Sequence, residues 1–378
     1  MLYRELGSTR EKMSILGLGC MRLPVLNGQY DKIDVDNAVP LIRKAIDSGI
    51  NYIDTAYPYH NGQSEIVIAE ALKDGYREKV FIADKLPSWL IQKREDMDNY
   101  LKEQLDMLQT GQIDFYLLHS IKEDYWNNLK SLGVFEFLDD ALADGRIKYT
   151  GFSFHGEIEL FFDVVDSYKW DICQVQYNIV DENYQAGREG IRYASSKGVG
   201  VVIMEPLRGG TLVKTVPPEV QKIWDGAPIK RSPVEWALKY LWDQEEVDVV
   251  LSGMGTSEEL EENLKLSDEG FSSSLTSEER DIIQEVRAAY RERKHVNCTQ
   301  CGYCMPCSSG VNIPGNFLQL NHAYMFQDID NSKMNYYMLL KEDERASNCT
   351  RCGECEKLCP QMVPIQKTLK KVRETFEN

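Results

Sequence analysis

The segment NYIDTAYPYH, residues 51–60, begins as a short apolar run and ends in polar and aromatic residues. Seven further apolar runs of similar length follow or precede it: ILGLGC, KVFIADK, IDFYLLHS, YTGFSF, ICQVQYN, GVVIME and VDVVLSG. Amphipathic stretches with helical spacing separate them, among them VDNAVPLIRKAIDSG and SPVEWALKYLWDQE. Eight apolar strands that alternate with helices predict an α/β fold, the (β/α)8 TIM barrel.

A doubly wound parallel sheet is the alternative fold for such an alternation. That fold binds dinucleotides at a G-x-G-x-x-G turn after its first strand, and no such motif follows residues 15–20. The opening segment MLYRELGSTREKMS, residues 1–14, has the pattern of a polar hairpin. We expect this hairpin to close the bottom of the barrel.

Two dense runs of cysteine lie near the C-terminus, CTQCGYCMPC at residues 298–307 and CTRCGECEKLCP at residues 349–360. The second run has the spacing C-x2-C-x2-C-x3-C-P, which is typical of bacterial ferredoxins that hold 4Fe–4S clusters. A zinc site usually combines two separate C-x2-C pairs, so it fits this spacing poorly. Disulfides are disfavoured in a reducing cytosol. The spacing therefore favours two 4Fe–4S clusters.

In two-cluster ferredoxins, the fourth cysteine of each run ligates the other cluster. By this rule, one cluster is held by Cys298, Cys301, Cys304 and Cys359, and the other by Cys349, Cys352, Cys355 and Cys307. The first run departs from the pattern, with only two residues before its fourth cysteine and no proline after it. The tail resembles the helical two-cluster ferredoxin domains of larger oxidoreductases. We place the barrel at residues 1–290 and a small, mainly helical ferredoxin-like iron–sulfur domain at residues 291–378.

The chain has 43 basic and 60 acidic residues, which give a formal net charge of −17. Such an excess of negative charge repels phosphate and argues against nucleic acid as a partner. No apolar run approaches the length of about 20 residues that spans a membrane. The charged N-terminus lacks the apolar core of a signal peptide. We expect a cytoplasmic protein that acts on a small-molecule substrate.

Four polar residues lie where predicted strands end. Asp54 and Tyr59 follow the second strand, Lys85 ends the third, and His119 ends the fourth. The C-terminal ends of barrel strands meet at one mouth, where the chemistry of such barrels takes place. Each residue alone has an ordinary structural explanation, but the four together indicate an active site.

These residues, together with GLGCMRLP, GFSFHG, QVQYN and PLRGG, make residues 1–290 resemble the aldo-keto reductases. The resemblance implies an oxidoreductase that reduces a carbonyl group. Tyr59 would donate the proton, with its pKa lowered by the ammonium of Lys85. Asp54 would hold Lys85 in place, and His119 would orient the carbonyl oxygen. Tyr57 is an alternative phenol whose spacing from Asp54 matches the family less well.

The resemblance also implies a nicotinamide cofactor, NAD(P)H, bound at Ser153, Gln174, Met204, Pro206, Leu207, Gly209, Gly253, Gly255, Thr256 and Asn263. Met204 stands where the family has an aromatic residue against the nicotinamide ring. Glu259 stands where the family has an arginine for the 2′-phosphate of NADP, and a carboxylate would repel that phosphate. The glycine-rich turn before Thr256 would equally accept the phosphate of FMN.

Iron–sulfur clusters pass electrons singly, whereas a nicotinamide delivers a hydride. Three arrangements stay open: a flavin that couples the two, direct electron delivery to the substrate without nicotinamide, and clusters that only hold the structure. A redox sensor whose barrel binds a nucleotide without turnover is a further alternative. One-electron clusters imply an external carrier, a small ferredoxin or flavodoxin. Its docking site would be Lys367, Lys370 and Lys371 on one face of the final helix, with Arg373 at the edge.

Overall fold

Eight parallel strands form a closed barrel in the computed structural model, which describes residues 1–378. The barrel strands are β3 (Leu16–Gly19), β4 (Tyr52–Asp54), β5 (Phe81–Leu86), β6 (Ile113–Ile121), β7 (Ile147–Phe154), β8 (Ile172–Gln176), β9 (Gly200–Met204) and β10 (Val249–Ser252); β1 (Tyr3–Glu5) and β2 (Lys12–Ser14) precede them. Neighbours around the barrel follow chain order, and β10 closes against β3. Each predicted apolar run overlaps one of these strands, so the predicted (β/α)8 barrel is confirmed.

Helices connect the strands and make up most of the C-terminal region, as predicted. Those up to residue 267 are α1 (Val35–Asp47), α2 (Ser64–Ala71), α3 (Arg94–Leu108), α4 (Glu123–Ser131), α5 (Val134–Ala143), α6 (Ile158–Ser167), α7 (Gly187–Ser196), α8 (Thr211–Lys214), α9 (Pro218–Gly226), α10 (Pro233–Trp242) and α11 (Ser257–Ser267). The others are α12 (Ser277–Glu292), α13 (Ile313–Met325), α14 (Ile329–Leu339), α15 (Glu354–Leu358) and α16 (Ile365–Phe376). None of them combines the length and apolar character needed to cross a membrane.

The N-terminal hairpin closes the end of the barrel at which the strands begin. β1 and β2 pair antiparallel. The side chains of Leu6 and Met13 are fully buried among residues of the barrel interior such as Phe115 and Val249. Leu6 lies directly against Gly200, the first residue of β9, where any larger side chain would collide with it. The apolar tip of an otherwise polar hairpin therefore fills the barrel end.

The chain divides into two compact units, each built from two segments. The first consists of residues 1–207 and 235–275, and the second of residues 208–234 and 276–378. The first unit contains the whole barrel. The segment 208–234, which follows strand β9 in sequence, folds with the C-terminal residues. The proposed domain boundary at residue 290 stays a prediction.

The second unit has its own apolar core. Its buried residues include Val311, Phe317, Leu320, Leu369 and Val372, and six of the eight clustered cysteines pack against them. The segment 208–234 is tied to the later helices by polar contacts. Arg293 pairs with Glu219 at 3.0 Å, and Thr211 Oγ1 donates to Asp328 Oδ2 at 3.2 Å.

Candidate active site and cluster sites

The barrel brings the four predicted catalytic residues to one mouth. Asp54 is the last residue of β4, and Lys85 and His119 lie near the C-terminal ends of β5 and β6. Tyr59 begins a tight turn after β4, in which His60 and Asn61 adopt left-handed backbone angles, with φ of 52° and 53°. This turn folds the chain back, so that the phenol reaches the strand ends.

Lys85 is the fully buried centre of this group. Its Nζ lies 2.7 Å from Asp54 Oδ1 and donates to the carbonyl oxygen of Thr55 at 2.5 Å. The same nitrogen is 3.5 Å from the hydroxyl of Tyr59. The ammonium therefore bridges a buried carboxylate and a phenol, which is the arrangement expected for a lysine that supports a tyrosine acid.

The protonation states of this group follow from burial. Burial raises the pKa of Tyr59 to about 12, although the ammonium of Lys85 acts in the opposite direction. We expected Lys85 to lower the pKa of the phenol, but the cost of desolvating a phenolate outweighs its attraction. Burial also acts to lower the pKa of Lys85, yet the charges of Asp54 and Tyr59 raise it above its ordinary value. At neutral pH the phenol is protonated and the lysine is charged.

His119 completes the group as a neutral imidazole. Its ring centre lies 6.2 Å from that of Tyr59 and 5.1 Å from that of Trp89, both edge to face. Burial, followed by the charge of Lys85, lowers the pKa of His119 well below its ordinary value. Its Nδ1 is buried without a hydrogen-bond partner. The sequence did not identify Trp89 as part of this site, because it is not a polar residue at a strand end and belongs to no motif.

Tyr57, the alternative phenol, lies outside this group. Its hydroxyl is 3.4 Å from Glu103 Oε1, and its ring packs edge to face on Tyr100. Both partners belong to α3, on the outside of the barrel. The geometry therefore favours Tyr59 as the phenol beside Lys85.

The residues expected to face a nicotinamide lie on three successive strands. Ser153 pairs in register with Gln174, and Met204 lies on the next strand, β9. Gln174 Nε2 donates to Met204 Sδ at 3.8 Å, while Gln174 Oε1 is buried without a partner. Ser153 Oγ accepts the backbone N–H of Ser120 at 2.7 Å. The open oxygen of Gln174 fits the amide group of a nicotinamide, which needs an acceptor.

The loop after β10 contains the expected phosphate turn. Thr256 caps α11 by accepting the backbone N–H of Glu259 at 3.2 Å. In return, Glu259 Oε2 accepts the backbone N–H of Gly255 at 2.9 Å, so one donor that could face a phosphate is already used. The side chain of Arg22 lies against Gly253, at 3.1 Å from the position of a Cβ.

The remaining predicted cofactor contacts are more scattered. Asn263 is buried on α11, where its amide donates to Ser252 Oγ at 2.9 Å. Pro206 and Leu207 follow β9 and end the first segment of the barrel unit. Gly209 has a left-handed φ of 65° and belongs to the second unit.

One cavity of the second unit is lined by cysteines from both runs. They are Cys298, Cys301, Cys304 and Cys359, the set expected from the two-cluster rule. The side chains of Ile313 and Phe317 line its apolar side. Four thiols around an apolar cavity are the donor set of a 4Fe–4S cluster.

The other four cysteines also lie together. Burial raises the pKa of Cys355 to about 11, and the charges of Cys349, Cys307 and Cys352 act in the same direction. Beyond Cys307, the hydroxyl oxygens of Ser309 and Thr350 are 3.0 Å apart, which fixes the end of the first run beside the second. The fourth cysteine of the first run is thus close to the first three of the second run.

The two runs share a local backbone conformation. Gln300 and Arg351, each before the second cysteine of a run, both have φ of 58°. The glycines after that cysteine, Gly302 and Gly353, have φ of 77° and 79°. Glycine adopts this left-handed region without a steric cost, and the repeated turn curls each run around its cysteines. In the first run, the N–H of Gln300 donates to Cys298 Sγ at 3.4 Å.

Comparison with known proteins assigns both parts of the chain. Residues 15–287 match the model of the aldo/keto reductase family, and residues 297–364 match the model of a 4Fe–4S dicluster domain. The chain is 27% identical to L-galactose dehydrogenase of Arabidopsis thaliana over 312 residues, which cover 75% of this chain and 95% of that protein. It is also 27% identical to the NADH-specific methylglyoxal reductase of Escherichia coli over 233 residues, 56% of this chain and 69% of that one.

Solved structures give the same assignment for the barrel. The aldo-keto reductase AKR11C1 from Bacillus halodurans in its holo form superposes with a TM-score of 0.63 and 25% identity, over 76% of this chain and 96% of that one. The thermostable aldo-keto reductase Tm1743 superposes with a TM-score of 0.60 and 27% identity, over 76% of this chain and all of that one.

Proposed function

The chain belongs to the aldo/keto reductase family and is an oxidoreductase with a 4Fe–4S dicluster domain, and we propose that its barrel reduces a carbonyl group with Tyr59 as the proton donor. The observation that carries this proposal is the position of Lys85 Nζ, 2.7 Å from Asp54 and 3.5 Å from the hydroxyl of Tyr59. A binding module without turnover has no need of a buried lysine held against a phenol.

Each residue of the group has a distinct role in this proposal. Tyr59, whose pKa burial raises to about 12, is protonated at neutral pH and can give its proton to a developing alkoxide. Lys85 stabilises the phenolate that remains, and Asp54 holds the lysine in its buried position. His119 is neutral and can donate a hydrogen bond to the carbonyl oxygen, which fixes the orientation of the substrate.

We propose NADH rather than NADPH as the hydride donor, held by Ser153, Gln174 and the loop after β10. A nicotinamide bound there supplies a hydride to the carbonyl carbon. The open oxygen of Gln174 supports this site. The carboxylate of Glu259 lies in the turn that would face the 2′-phosphate of NADPH, which it would repel. A relative is named an NADH-specific methylglyoxal reductase, which agrees with this preference.

We further propose that the eight cysteines hold two 4Fe–4S clusters that exchange single electrons with a small ferredoxin or flavodoxin. The shared cavity of Cys298, Cys301, Cys304 and Cys359 supports the exchange of fourth ligands between the runs. A bound flavin such as FMN would couple these single electrons to two-electron chemistry, and the turn before Thr256 is its candidate phosphate site.

A second candidate is a reductase that takes its electrons from the clusters and does not use nicotinamide. Two observations favour it: Met204 stands in place of an aromatic residue, and the hydrogen bond from Gly255 to Glu259 removes a phosphate donor. In that case the clusters would deliver two electrons one at a time, Tyr59 would supply the proton to oxygen, and water would supply the proton to carbon. The two candidates differ only in the source of the electrons.

Anaerobic purification followed by cofactor extraction and assay separates these candidates. The intact protein should contain about eight iron and eight sulfide per chain. Reduction of small aldehydes is then measured with NADH, with NADPH and with reduced ferredoxin. Turnover with NADH alone supports the first candidate, and turnover with ferredoxin alone supports the second. A protein with zinc and without sulfide would contradict both.

A further inference from the structure

A cluster of polar side chains is buried behind Lys85, on the outer side of the barrel wall. Side chains alternate along a strand, so Asp84 points to the opposite face from Lys85. Asp84 is fully buried there together with Glu65 of α2, Gln104 of α3 and Tyr116 of β6. The layer between barrel and helices is mainly apolar, and buried polar groups in such a layer are normally hydrogen-bonded.

Hydrogen bonds connect this cluster to the backbone of Lys85. The N–H of Lys85 donates to Asp84 Oδ1 at 2.8 Å, and the carbonyl oxygen of Lys85 accepts from Gln104 Nε2 at 3.1 Å. Gln104 Nε2 also donates to Glu65 Oε1 at 3.2 Å, and Gln104 Oε1 accepts from the hydroxyl of Tyr116 at 2.7 Å. The backbone N–H and the backbone carbonyl oxygen of Lys85 are therefore both hydrogen-bonded to side chains on the outer side of the barrel wall.

One oxygen of each carboxyl group takes no part in these hydrogen bonds. Glu65 Oε2 and Asp84 Oδ2 are both buried without a hydrogen-bond donor. Asp84 binds the N–H of Lys85, and Glu65 shares the Gln104 amide with the carbonyl oxygen of Lys85, which brings the two carboxyl groups together behind this residue. Two ionised carboxylates would repel each other across this contact and would leave both oxygens unsatisfied. A single proton between these oxygens satisfies both.

We propose that Glu65 and Asp84 share one proton, with Glu65 Oε2 donating to Asp84 Oδ2, and that this pair positions Lys85. The remaining charge belongs mainly to Asp84, which accepts the backbone N–H of Lys85 and is stabilised by the charge of its ammonium across the strand. The cluster thus places one negative charge behind the lysine, while Asp54 places another in front. Glu65 and Asp84 are positioning residues, since neither touches the reacting atoms.

The electrostatic surroundings support this assignment. Burial and the neighbouring carboxyl group raise the pKa of Glu65 far above its ordinary value, and burial raises the pKa of Asp84 as well. The other titratable groups that face the pair are Lys85, Asp54, Glu103 and Tyr116. Only Lys85 is cationic, and it is already paired with Asp54, so one proton lowers the buried charge of the pair from two to one.

Infrared difference spectroscopy tests the shared proton without any assay of activity. The anaerobically prepared full chain is compared with Glu65→Gln at pH 7, because the amide of glutamine can make the same donation to Asp84. The wild-type protein should show the carbonyl stretch of one protonated carboxyl group that the variant lacks. Asp84→Asn should lack it too, since its amide donates to an ionised Glu65. Absence of this band from the wild-type protein would overturn the proposal.

Thermal unfolding gives a second measurement. A carboxyl group whose pKa is higher in the folded than in the unfolded state favours folding less as the pH rises between the two values. Glu65→Gln removes this effect. The unfolding temperature of the variant, relative to wild type, should therefore rise from pH 5 to pH 9. A difference that is constant over this range would contradict a proton held by Glu65.

The positioning role rests on the proposed carbonyl reduction, and it has its own test. Glu65→Ala leaves Asp84 Oδ2 without a donor and should lower kcat for aldehyde reduction at least tenfold with little change in KM. Glu65→Gln should restore most of this rate. An unchanged rate in Glu65→Ala would disprove the positioning role without contradicting the shared proton. If the wild-type protein reduces no aldehyde, the infrared measurement still tests whether Glu65 and Asp84 share a proton.

Discussion

Glu259 accepts a hydrogen bond from the backbone N–H of Gly255, at 2.9 Å, across the turn that precedes α11. The side chain thereby directs a carboxylate into the place where this type of barrel commonly binds phosphate. If a dinucleotide binds here as proposed, an anionic side chain in this turn would distinguish between dinucleotides that differ by one phosphate. The choice of cofactor is therefore the first property to test.

Glu259→Arg should shift the preference towards NADPH. The change removes the repulsive charge, frees the N–H of Gly255 and adds a cation for the 2′-phosphate. We expect the ratio of kcat/KM for NADPH over NADH to rise at least tenfold, a change of about 1.4 kcal/mol. Glu258→Arg, which makes the same change of charge at the exposed neighbouring position, should leave the ratio within about twofold. Equal shifts in both variants would indicate a general charge effect.

Tyr59→Phe should abolish the proton donor and leave the rest of the site in place. We expect carbonyl reduction to fall by a factor of about 100 or more, as for other losses of a general acid. Binding of NADH, measured by fluorescence titration, should be nearly unchanged. Tyr57→Phe is the matched control, because its hydroxyl contacts Glu103 rather than Lys85. Full activity in Tyr59→Phe would disprove the role of this phenol.

Lys85→Met should destabilise the protein, and more strongly at higher pH. It leaves Asp54 as an unpaired buried carboxyl group, a change that typically costs about 3–5 kcal/mol. Burial already raises the pKa of Asp54, and loss of the opposing lysine raises it further. A folded pKa above the unfolded value of about 3.9 means that stability falls as the pH rises through this range. Urea unfolding at pH 5.5 and pH 8 measures this difference.

The double variant Asp54→Asn/Lys85→Met controls for that explanation. It removes the unpaired charge, so it should recover stability and show no additional pH dependence. Its activity should not recover. Lys85→Met should also slow any remaining catalysis, because the lysine opposes the effect of burial on the pKa of Tyr59. A double variant no more stable than Lys85→Met at pH 8 would show that the buried carboxylate is not the cause.

Pairs of cysteine variants should reveal which thiols share a cluster. Cys359→Ser should lower the iron content from about eight to about four per chain. Adding Cys298→Ser should cause little further loss, because both residues line the same cavity. Adding Cys352→Ser to Cys359→Ser should instead remove nearly all the iron. If each run held its own cluster, the two double variants would give the opposite results.

Salt and charge reversal should slow electron transfer from a ferredoxin. Lys370 and Lys371 lie on the outer face of α16, where Lys370 is 3.6 Å from Glu374 and Lys371 is 5.8 Å from the ring centre of Tyr324. Lys370→Glu/Lys371→Glu should lower the association rate about tenfold or more at low salt, since exposed charges act mainly on encounter. Stopped-flow reduction of the clusters measures this rate.

The matched control for this variant is Lys12→Glu/Lys102→Glu, which makes the same change of net charge on the barrel unit. Its association rate should change by less than about twofold. Similar rates for the α16 variant and the unmodified protein at low salt would show that this basic face is only solvated. Turnover driven by NADH should be unaffected in both variants.

Sequence alone predicted the features that depend on local pattern. The apolar runs placed all eight strands, and the positions of Asp54, Lys85 and His119 at strand ends were sufficient to bring them together. The sequence predicted that Lys85 lowers the pKa of Tyr59, but not the larger opposite effect of burial, which depends on how completely the fold desolvates the phenol. A short sequence pattern does not show how deeply the fold buries a side chain such as that of Tyr59.

Tertiary contacts account for the other features that the sequence did not reveal. The edge-to-face contact of Trp89 with His119 joins the turn after β5 to strand β6, and the pairing of Glu65 with Asp84 joins a helix to a strand. No periodicity identifies such partners. Asp84 does have a local signal, since an acid beside a lysine in a buried strand requires a partner.

Residues 208–234 belong to the unit that contains the clusters, although they are synthesised before the last strand of the barrel. While a ribosome completes β10 and the cysteine runs, these residues lack the partners they have in the mature protein, such as Arg293 and Asp328. Maturation of this segment therefore waits for the C-terminus. A chain that stops before residue 276 would leave α8 and α9 without these partners.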